Sequence, residues 1–288
     1  MAKAFAPMPT WDPPRPNVAL TMAALSDVTT EIVSFRHDDF APAELRALKG
    51  TRSVSVCIPA RDEEATVGRI VECVRRELVE TAGLVDELVV VDDGSTDATA
   101  IVARRAGARV VAVSAVPGKK AGKGEAMSLA LGESTGEIIV FLDGDVEGFG
   151  SHFVTGLLGP MFSRPETMLV KACYRRPIGE SPTGGGRVTE LTARPVLSLL
   201  FPELSGVVQP LAGEVAVRRE ALADIVLAGG YGVEIGMLID ISRRYGTHSL
   251  AQVDLGVRAH RNRPLYELAP QARDVLEVAL RRAGVRLA

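Results

Sequence analysis

Two aspartates separated by one glycine are the side chains in this sequence best suited to chemistry. Asp143 and Asp145 flank Gly144 and end the stretch 137–145, whose apolar part is rich in β-branched and aromatic residues. Such a run is typical of a strand buried on both faces. At its carboxyl end, two carboxylates can hold a hard divalent cation, and that cation can clamp a diphosphate leaving group. The alternative is a solvated acidic turn.

Two more acidic turns follow predicted strands. Glu63 and Glu64 come after the first strand, and Asp92 and Asp93 end the second. Since parallel strands present their carboxyl ends at one edge of a sheet, all three acidic turns are expected to converge there. For Asp92 and Asp93 we favour a nucleotide contact, because carboxylates accept hydrogen bonds from a base or a ribose.

Two glycine-rich segments with basic side chains precede predicted helices. The loop 118–125 contains Lys123, and the segment 184–191 places three glycines before Arg187 and Thr189. Backbone N–H groups at a helix N-terminus, with Lys or Arg beside them, suit a phosphate or carboxylate. The alternatives are a solvated basic loop for the first segment and a flexible hinge for the second.

The last third of the sequence adds candidates for substrate and metal. Glu234 lies in an apolar stretch and is either a group that holds substrate hydroxyls or an ordinary helix-start carboxylate. Three arginines, Arg258 among them, surround His260, and this cluster suits an anionic ligand. As a neutral imidazole, His260 can complete a metal site with Asp145, although a single histidine is more often structural.

Alternating strand and helix patterns position these groups. The apolar periodicity predicts a β-α-β-α-β-α-β order and hence a parallel sheet with right-handed crossovers. Later segments predict further strands and a closing amphipathic helix, a possible dimer contact. The predicted strands are Ser53–Pro59, Glu87–Asp92, Arg109–Val113, the run before Asp143, Met168–Tyr174, a short strand between Glu214 and Arg218, and Ala251–Gly256. The predicted helices include Thr66–Glu80, Thr96–Ala106, Lys123–Leu131 and Leu265–Ala283.

Length and composition set the broad class. The 288 residues are 47% apolar, enough for one large domain or two smaller ones, and the formal net charge of -3 gives no general attraction to nucleic acid. The three scattered cysteines fit a reduced cytoplasmic protein. No apolar stretch is long enough to cross a bilayer, and no secretory signal is apparent. We divide the chain into a partly disordered N-terminal extension (1–50), a first half that carries the acidic turns (51–150) and a second half that ends in the C-terminal helix (151–288).

The motifs together resemble a known enzyme family. Those of the first half resemble GT-A-fold glycosyltransferases in general, and those of the second half closely resemble actinobacterial glucosyl-3-phosphoglycerate synthases; the similarity runs from about Ser53 to the C-terminus. The first-half motifs are 59–66, 92–97, 122–126 and 143–145, and the second-half motifs are 184–191, 209–214, 231–236 and 257–264.

The resemblance implies a mostly parallel Rossmann-like sheet flanked by helices. It also implies that the nucleotide sugar binds to the half 51–150 and the acceptor to the half 151–288. Glucose would move from UDP-glucose to the 2-hydroxyl of 3-phosphoglycerate with retention, with Mg²⁺ or Mn²⁺, in a homodimer. It also implies a role in glucosylglycerate or methylglucose polysaccharide synthesis.

The resemblance further implies a role for individual residues. Asp145, Glu234 and Lys123 would act in catalysis, and Asp145 and His260 would bind the metal. Donor contacts would come from Pro59, Ala60, Glu63 and Asp93 at uridine, Asp143 near the ribose, Lys123, Gly144 and Arg258 elsewhere on the nucleotide sugar, and Leu211, Ala212, Gly213, Tyr231 and Glu234 around glucose. Acceptor contacts would come from Gly186, Arg187, Thr189 and Asn262.

Since no nucleophile–base pair is evident in the sequence, we predict front-face transfer, in which a leaving diphosphate oxygen helps to deprotonate the acceptor. The alternatives are mannosyl transfer from GDP-mannose to the same acceptor, a polyprenyl-phosphate sugar transferase, and a non-catalytic nucleotide-sugar sensor.

Overall fold

A computed structural model describes residues 32–113, 122–178, 181–184, 186–258 and 264–287. An eight-stranded sheet runs through it, in the order β1-β10-β6-β9-β5-β2-β3-β4. All neighbours are parallel except β9, which is antiparallel to both β5 and β6. The strands are β1 Val33–Arg36, β2 Val54–Ala60, β3 Glu87–Asp92, β4 Arg109–Ala112, β5 Ile138–Phe141, β6 Leu169–Arg175, β9 Val215–Arg218 and β10 Leu250–Val257; β7 Pro177–Ile178 and β8 Ser181–Gly184 form a separate ribbon.

Helices cover both faces of the sheet. They are α1 Pro42–Lys49, α2 Val67–Cys73, α3 Thr99–Ala106, α4 Lys123–Glu133, α5 His152–Ser163, α6 Arg194–Leu200, α7 Val233–Tyr245 and α8 Leu265–Arg282, with π-helical stretches extending α2 through Val74–Thr81 and preceding α6 at Thr189–Ala193. The mostly parallel sheet predicted from the sequence is confirmed.

The strand alternation divides the core into two layers. Val56 and Ile58 of β2 belong to the layer with α1, α2, α3 and α5, whereas Cys57 between them belongs to the layer with α4, α6, α7 and α8. Successive strand side chains point to opposite faces, so both faces of β2 are apolar, as expected for a covered sheet. No helix in the described ranges has the length and apolarity to span a membrane.

Two features of the fold differ from the sequence prediction. Strand β1, in the segment 1–50, was not predicted; it pairs in parallel with β10 at the sheet edge. Helix α3 begins at Thr99 rather than at Thr96. The backbone N–H groups of Thr96 and Ala98 instead donate to the carboxylates of Asp62 (2.7 Å) and Glu64 (2.9 Å), so this turn is tied to the loop after β2.

Candidate active site

A network of partly buried ion pairs lies at the carboxyl edge of the parallel strands. Lys123, the first residue of α4, places its Nζ 2.6 Å from Asp143 Oδ1 and 2.6 Å from Glu234 Oε1. Arg258, which follows β10, donates through Nη2 to Asp143 (2.9 Å) and Asp145 (2.7 Å). Residues from α4, α7, the β5 turn and the end of β10 thus meet at one place.

The network continues beneath the sheet edge through Glu214. This carboxylate is fully buried, and it accepts from Arg258 Nε at 2.9 Å and from the Tyr174 hydroxyl at 2.6 Å. Glu214 directly precedes β9. Because β9 is antiparallel to its neighbours, its first residue reaches the edge where the parallel strands end. We call Lys123, Asp143, Asp145, Glu214, Glu234 and Arg258 the charge cluster.

Mutual pairing fixes the charges of Lys123 and Asp143. Burial by itself raises the pKa of the Asp143 carboxyl, but Lys123 and Arg258 hold that pKa well below its usual range. Burial likewise lowers the pKa of Lys123, and Asp143 and Glu234 more than reverse the effect. Lys123 and Asp143 therefore stay ionised across the neutral range, and each depends on its partners for stability in a poorly solvated site.

Lys171 is a second buried lysine close to the cluster. It lies on β6 with 2% of its surface exposed, and its Nζ donates to the carbonyl of Ala212. Burial lowers the pKa of Lys171 to about 8, partly opposed by Glu234. The lysine ties β6 to the segment 211–213, which the sequence resemblance places around glucose.

Close packing brings two backbone segments against the acidic turn. A Cβ on Gly213 would overlap the Asp143 carboxylate, so only glycine fits there without movement. Thr66 donates through Oγ1 to the Gly144 carbonyl at 2.6 Å. A Cβ on Gly144 would lie 3.3 Å from the Ala60 Cβ, which brings the acidic turn and the end of β2 into contact.

The residues expected to contact the uracil base lie at the end of β2 and in the neighbouring loops after β2 and β3. The backbone N–H of Asp93 donates to the Ala60 carbonyl (2.9 Å). The side-chain Oδ2 of Asp93 lies 3.8 Å from Arg61 Nη1. Its Oδ1 is buried and has no hydrogen-bond partner in the described part of the chain. Burial raises the pKa of Asp93, which Arg61 partly counteracts. Pro59 lies near the end of β2, and Glu63 lies in the loop that follows it.

The carboxylate oxygens of Asp143 and Asp145 are suitable ligands for a metal ion. Both carboxylates converge on one cationic nitrogen, Arg258 Nη2, so their oxygens already share a single positive partner. Such oxygens suit Mg²⁺ or Mn²⁺, which commonly take one or two carboxylates together with substrate phosphates. Within the described ranges no group of three or more His, Cys, Asp or Glu side chains is arranged around a metal position. His260, the second predicted ligand, lies outside the described residues.

Comparison with known proteins identifies the family. Residues 55–223 match the family model described as glycosyl transferase family 2. The chain is 49% identical over 260 residues to the glucosyl-3-phosphoglycerate synthase of Mycolicibacterium smegmatis, covering 88% of this chain and 84% of that protein. The chain belongs to the glucosyl-3-phosphoglycerate synthase family.

Solved structures of a family member share the fold. The Mycobacterium tuberculosis glucosyl-3-phosphoglycerate synthase in complex with Mn²⁺, UDP-glucose and phosphoglyceric acid has a TM-score of 0.82 and 45% identity, covering 89% of each chain. The same enzyme in complex with Mg²⁺ and UDP has a TM-score of 0.81 and 44% identity, covering 89% of this chain and 88% of that one. The GT-A-type fold predicted from the motifs is confirmed.

The structure describes several further residues predicted from the family motifs. Gly186, Arg187 and Thr189 begin the helical stretch that leads into α6, and Thr189 is buried. Tyr231 is 39% exposed, and its backbone N–H donates to Asp274 of α8 at 3.2 Å. Leu211 and Ala212 stand next to Gly213 in the segment before β9. Asn262 lies outside the described residues.

Sequence reasoning missed three buried side chains at this site as chemical groups, namely Glu214, Lys171 and Tyr174. The signals were present: Glu214 is an acid directly before an apolar strand, and Lys171 is a lone lysine inside one. Charged residues are rarely fully buried unless they are paired, so each position called for a partner.

Proposed function

We propose that the chain transfers glucose from UDP-glucose to the 2-hydroxyl of 3-phosphoglycerate with retention, giving glucosyl-3-phosphoglycerate and UDP. The observation that carries the proposal is the charge cluster, in which Asp143 and Asp145 converge on Arg258 and Lys123 joins Asp143 to Glu234. Family membership adds the identity of the substrates, which are those bound by the M. tuberculosis enzyme.

The donor site is assigned to the edge formed by β2, β3 and β5. Asp93 accepts from the uracil ring, and Asp143 lies by the ribose. Asp145, with His260, would hold Mg²⁺ or Mn²⁺, which when bound offsets the charge of the leaving diphosphate. Arg258 supplies a further cation beside that diphosphate, and Glu234 accepts from the hydroxyls of glucose.

Pairing within the cluster supports front-face transfer. Asp143, Asp145, Glu214 and Glu234 each accept from Lys123 or Arg258, so none of these four is a free base. The acceptor oxygen forms its bond to the anomeric carbon as the bond from that carbon to the diphosphate oxygen breaks. The acceptor proton passes to the departing diphosphate oxygen, and the bond forms on the face from which the leaving group departs.

The acceptor site is assigned to the start of the helical stretch before α6. Gly186 has a φ of 74°, a conformation that favours glycine. Arg187 and Thr189 supply a guanidinium and a hydroxyl beside it, and Asn262 completes the set. This arrangement suits the phosphate of the acceptor.

The proposed assembly is a cytoplasmic homodimer. Support comes from apolar side chains exposed on helices. Leu191 in the stretch before α6 is 71% exposed, Leu199 on α6 is 79% exposed, and Tyr266 on α8 is 76% exposed. Light scattering of the purified full chain should give twice the mass of one chain; a monomer at working concentrations contradicts the dimer alone.

The reaction is tested with both candidate donors. Purified protein is incubated with 3-phosphoglycerate and Mg²⁺, once with UDP-glucose and once with GDP-mannose, and the product is identified by mass spectrometry and by the anomeric NMR signal. We expect an α-glucoside from UDP-glucose alone. Product only from GDP-mannose contradicts the donor, an inverted anomer contradicts the mechanism, and binding of UDP-glucose without turnover supports the sensor.

A further inference from the structure

Arg176 joins the acceptor segment to the charge cluster. It follows β6, with its guanidinium carbon 4.8 Å from the centre of the Tyr174 ring and its Nη2 donating to the Tyr174 hydroxyl at 2.7 Å. The same hydroxyl donates to Glu214, which in turn holds Arg258. A continuous set of bonds therefore runs from Arg176 to the donor-side carboxylates.

The Arg176 guanidinium also lies next to the acceptor segment. Its Nη1 lies 3.7 Å from the position that a Cβ on Gly186 would take. Its Nε is buried and has no hydrogen-bond partner among the described residues. A buried donor without a partner is costly, so such a group in a native site points to a ligand that completes it.

A guanidinium with unused N–H groups fits a planar, charged acceptor group. Arg binds carboxylates through paired N–H donors, and the rigid fork favours that geometry. The acceptor of the proposed reaction has two anionic groups, a phosphate on C3 and a carboxylate on C1 next to the reacting hydroxyl. Gly186 and Arg187 form the start of a helix, which suits the phosphate. Arg176 is bonded towards the charge cluster, where the reacting hydroxyl must lie, so the carboxylate next to that hydroxyl is the group that matches Arg176.

We propose that Arg176 binds the carboxylate of the acceptor and thereby sets specificity for a phosphorylated 2-hydroxy acid over a polyol phosphate that lacks the carboxylate. The inference rests on the proposed function. Stacking on Tyr174 and the bond to its hydroxyl orient the guanidinium before the acceptor arrives, which lowers the ordering cost of binding.

Three ligands separate the carboxylate from the phosphate. 3-Phosphoglycerate carries both groups, glycerol 3-phosphate lacks the carboxylate, and glycerate lacks the phosphate. The KM for 3-phosphoglycerate and the inhibition constants of the other two are measured for the wild type, Arg176→Gln and Arg176→Lys. Arg175→Gln is the matched control, because Arg175 is the preceding residue and its side chain is exposed.

In Arg176→Gln we expect the KM for 3-phosphoglycerate and the inhibition constant of glycerate to rise about 10- to 100-fold. The inhibition constant of glycerol 3-phosphate and the KM for UDP-glucose should stay within about twofold, since neither ligand uses this contact. Arg176→Lys should recover part of the loss because it keeps the charge without the fork. Arg175→Gln should match the wild type.

Two results would overturn the inference. If Arg176→Gln weakens the binding of glycerol 3-phosphate and 3-phosphoglycerate equally, Arg176 contacts the phosphate. If the binding of UDP-glucose weakens as well, Arg176 has only a structural role. Failure of the wild type to use 3-phosphoglycerate would instead contradict the proposed function, so the two failures are distinct.

Discussion

Arg258 is shared among three carboxylates, Glu214 through Nε and Asp143 and Asp145 through Nη2. Its side chain is 3% exposed. Glu214 holds Arg258 in place even when Asp143 and Asp145 bind a metal ion or a substrate instead of Arg258. At the scale of single residues, Glu214 therefore determines where the positive charge of Arg258 stands.

Glu214→Gln should move Arg258 without changing the shape of the site. The amide keeps one acceptor but loses the charge, so we expect the free energy of unfolding to fall by about 1.5–3 kcal/mol. kcat/KM for UDP-glucose should fall at least about tenfold, which corresponds to ~1.4 kcal/mol. Denaturant unfolding and steady-state kinetics measure the two effects.

The matched control is Glu277→Gln, which removes an exposed carboxylate that pairs with Arg281 on the surface of α8. Its effect on stability should stay within about 0.5 kcal/mol. If Glu214→Gln is as mild as this control, Glu214 does not position Arg258.

At the scale of elements, the segment that connects α6 to β9 packs its backbone directly against Asp143. Gly213 packs on the Asp143 carboxylate, and the neighbouring Ala212 carbonyl accepts from Lys171 of β6. Contacts with Asp143 after β5 and with Lys171 on β6 therefore fix the position of this segment.

Gly213→Ala should displace this segment from Asp143. Overpacking of this kind costs about 1–3 kcal/mol, and a shift of ~1 Å near reacting groups can lower turnover about 100-fold. Gly206→Ala is the control in the same region, because a Cβ there meets nothing within 4 Å. Comparable activity in the two variants would show that the Gly213 contact has no role in the site.

The order of elements explains what the sequence could predict. Asp93, Asp143 and Asp145 follow apolar runs, and the rule for parallel strands was enough to place them at one edge. Glu214 escaped because the sequence pattern of a short strand does not reveal its direction, and only the antiparallel β9 brings Glu214 to that edge. Strand β1 escaped because its four residues pair with β10, more than two hundred residues away in sequence.

At the scale of the whole molecule, the buried Lys171 links stability to pH. Burial lowers its folded pKa to about 8, against about 10.4 for an unfolded lysine. Between these values the unfolded chain binds a proton that the folded chain lacks, so raising the pH favours folding through this group.

Lys171→Met should remove that increment. The difference in free energy of unfolding between wild type and variant should grow in favour of the wild type by up to about 1.4 kcal/mol per pH unit from pH 8 to 10. Taking the difference cancels the titration of buried Cys57 and Cys173, whose thiol pKa values are raised to about 12 by burial. Urea unfolding at both pH values provides the data, and a constant difference contradicts the assignment.

The central claim is that Asp145 belongs to a metal-dependent donor site at the sheet edge. Its side chain is 36% exposed, so its removal leaves the buried core intact. The most direct measurement is turnover of UDP-glucose and 3-phosphoglycerate by Asp145→Ala, together with its affinity for UDP-glucose with and without Mn²⁺. We predict a folded protein with no detectable turnover and no gain in affinity from the metal. Turnover comparable to the wild type would contradict the account.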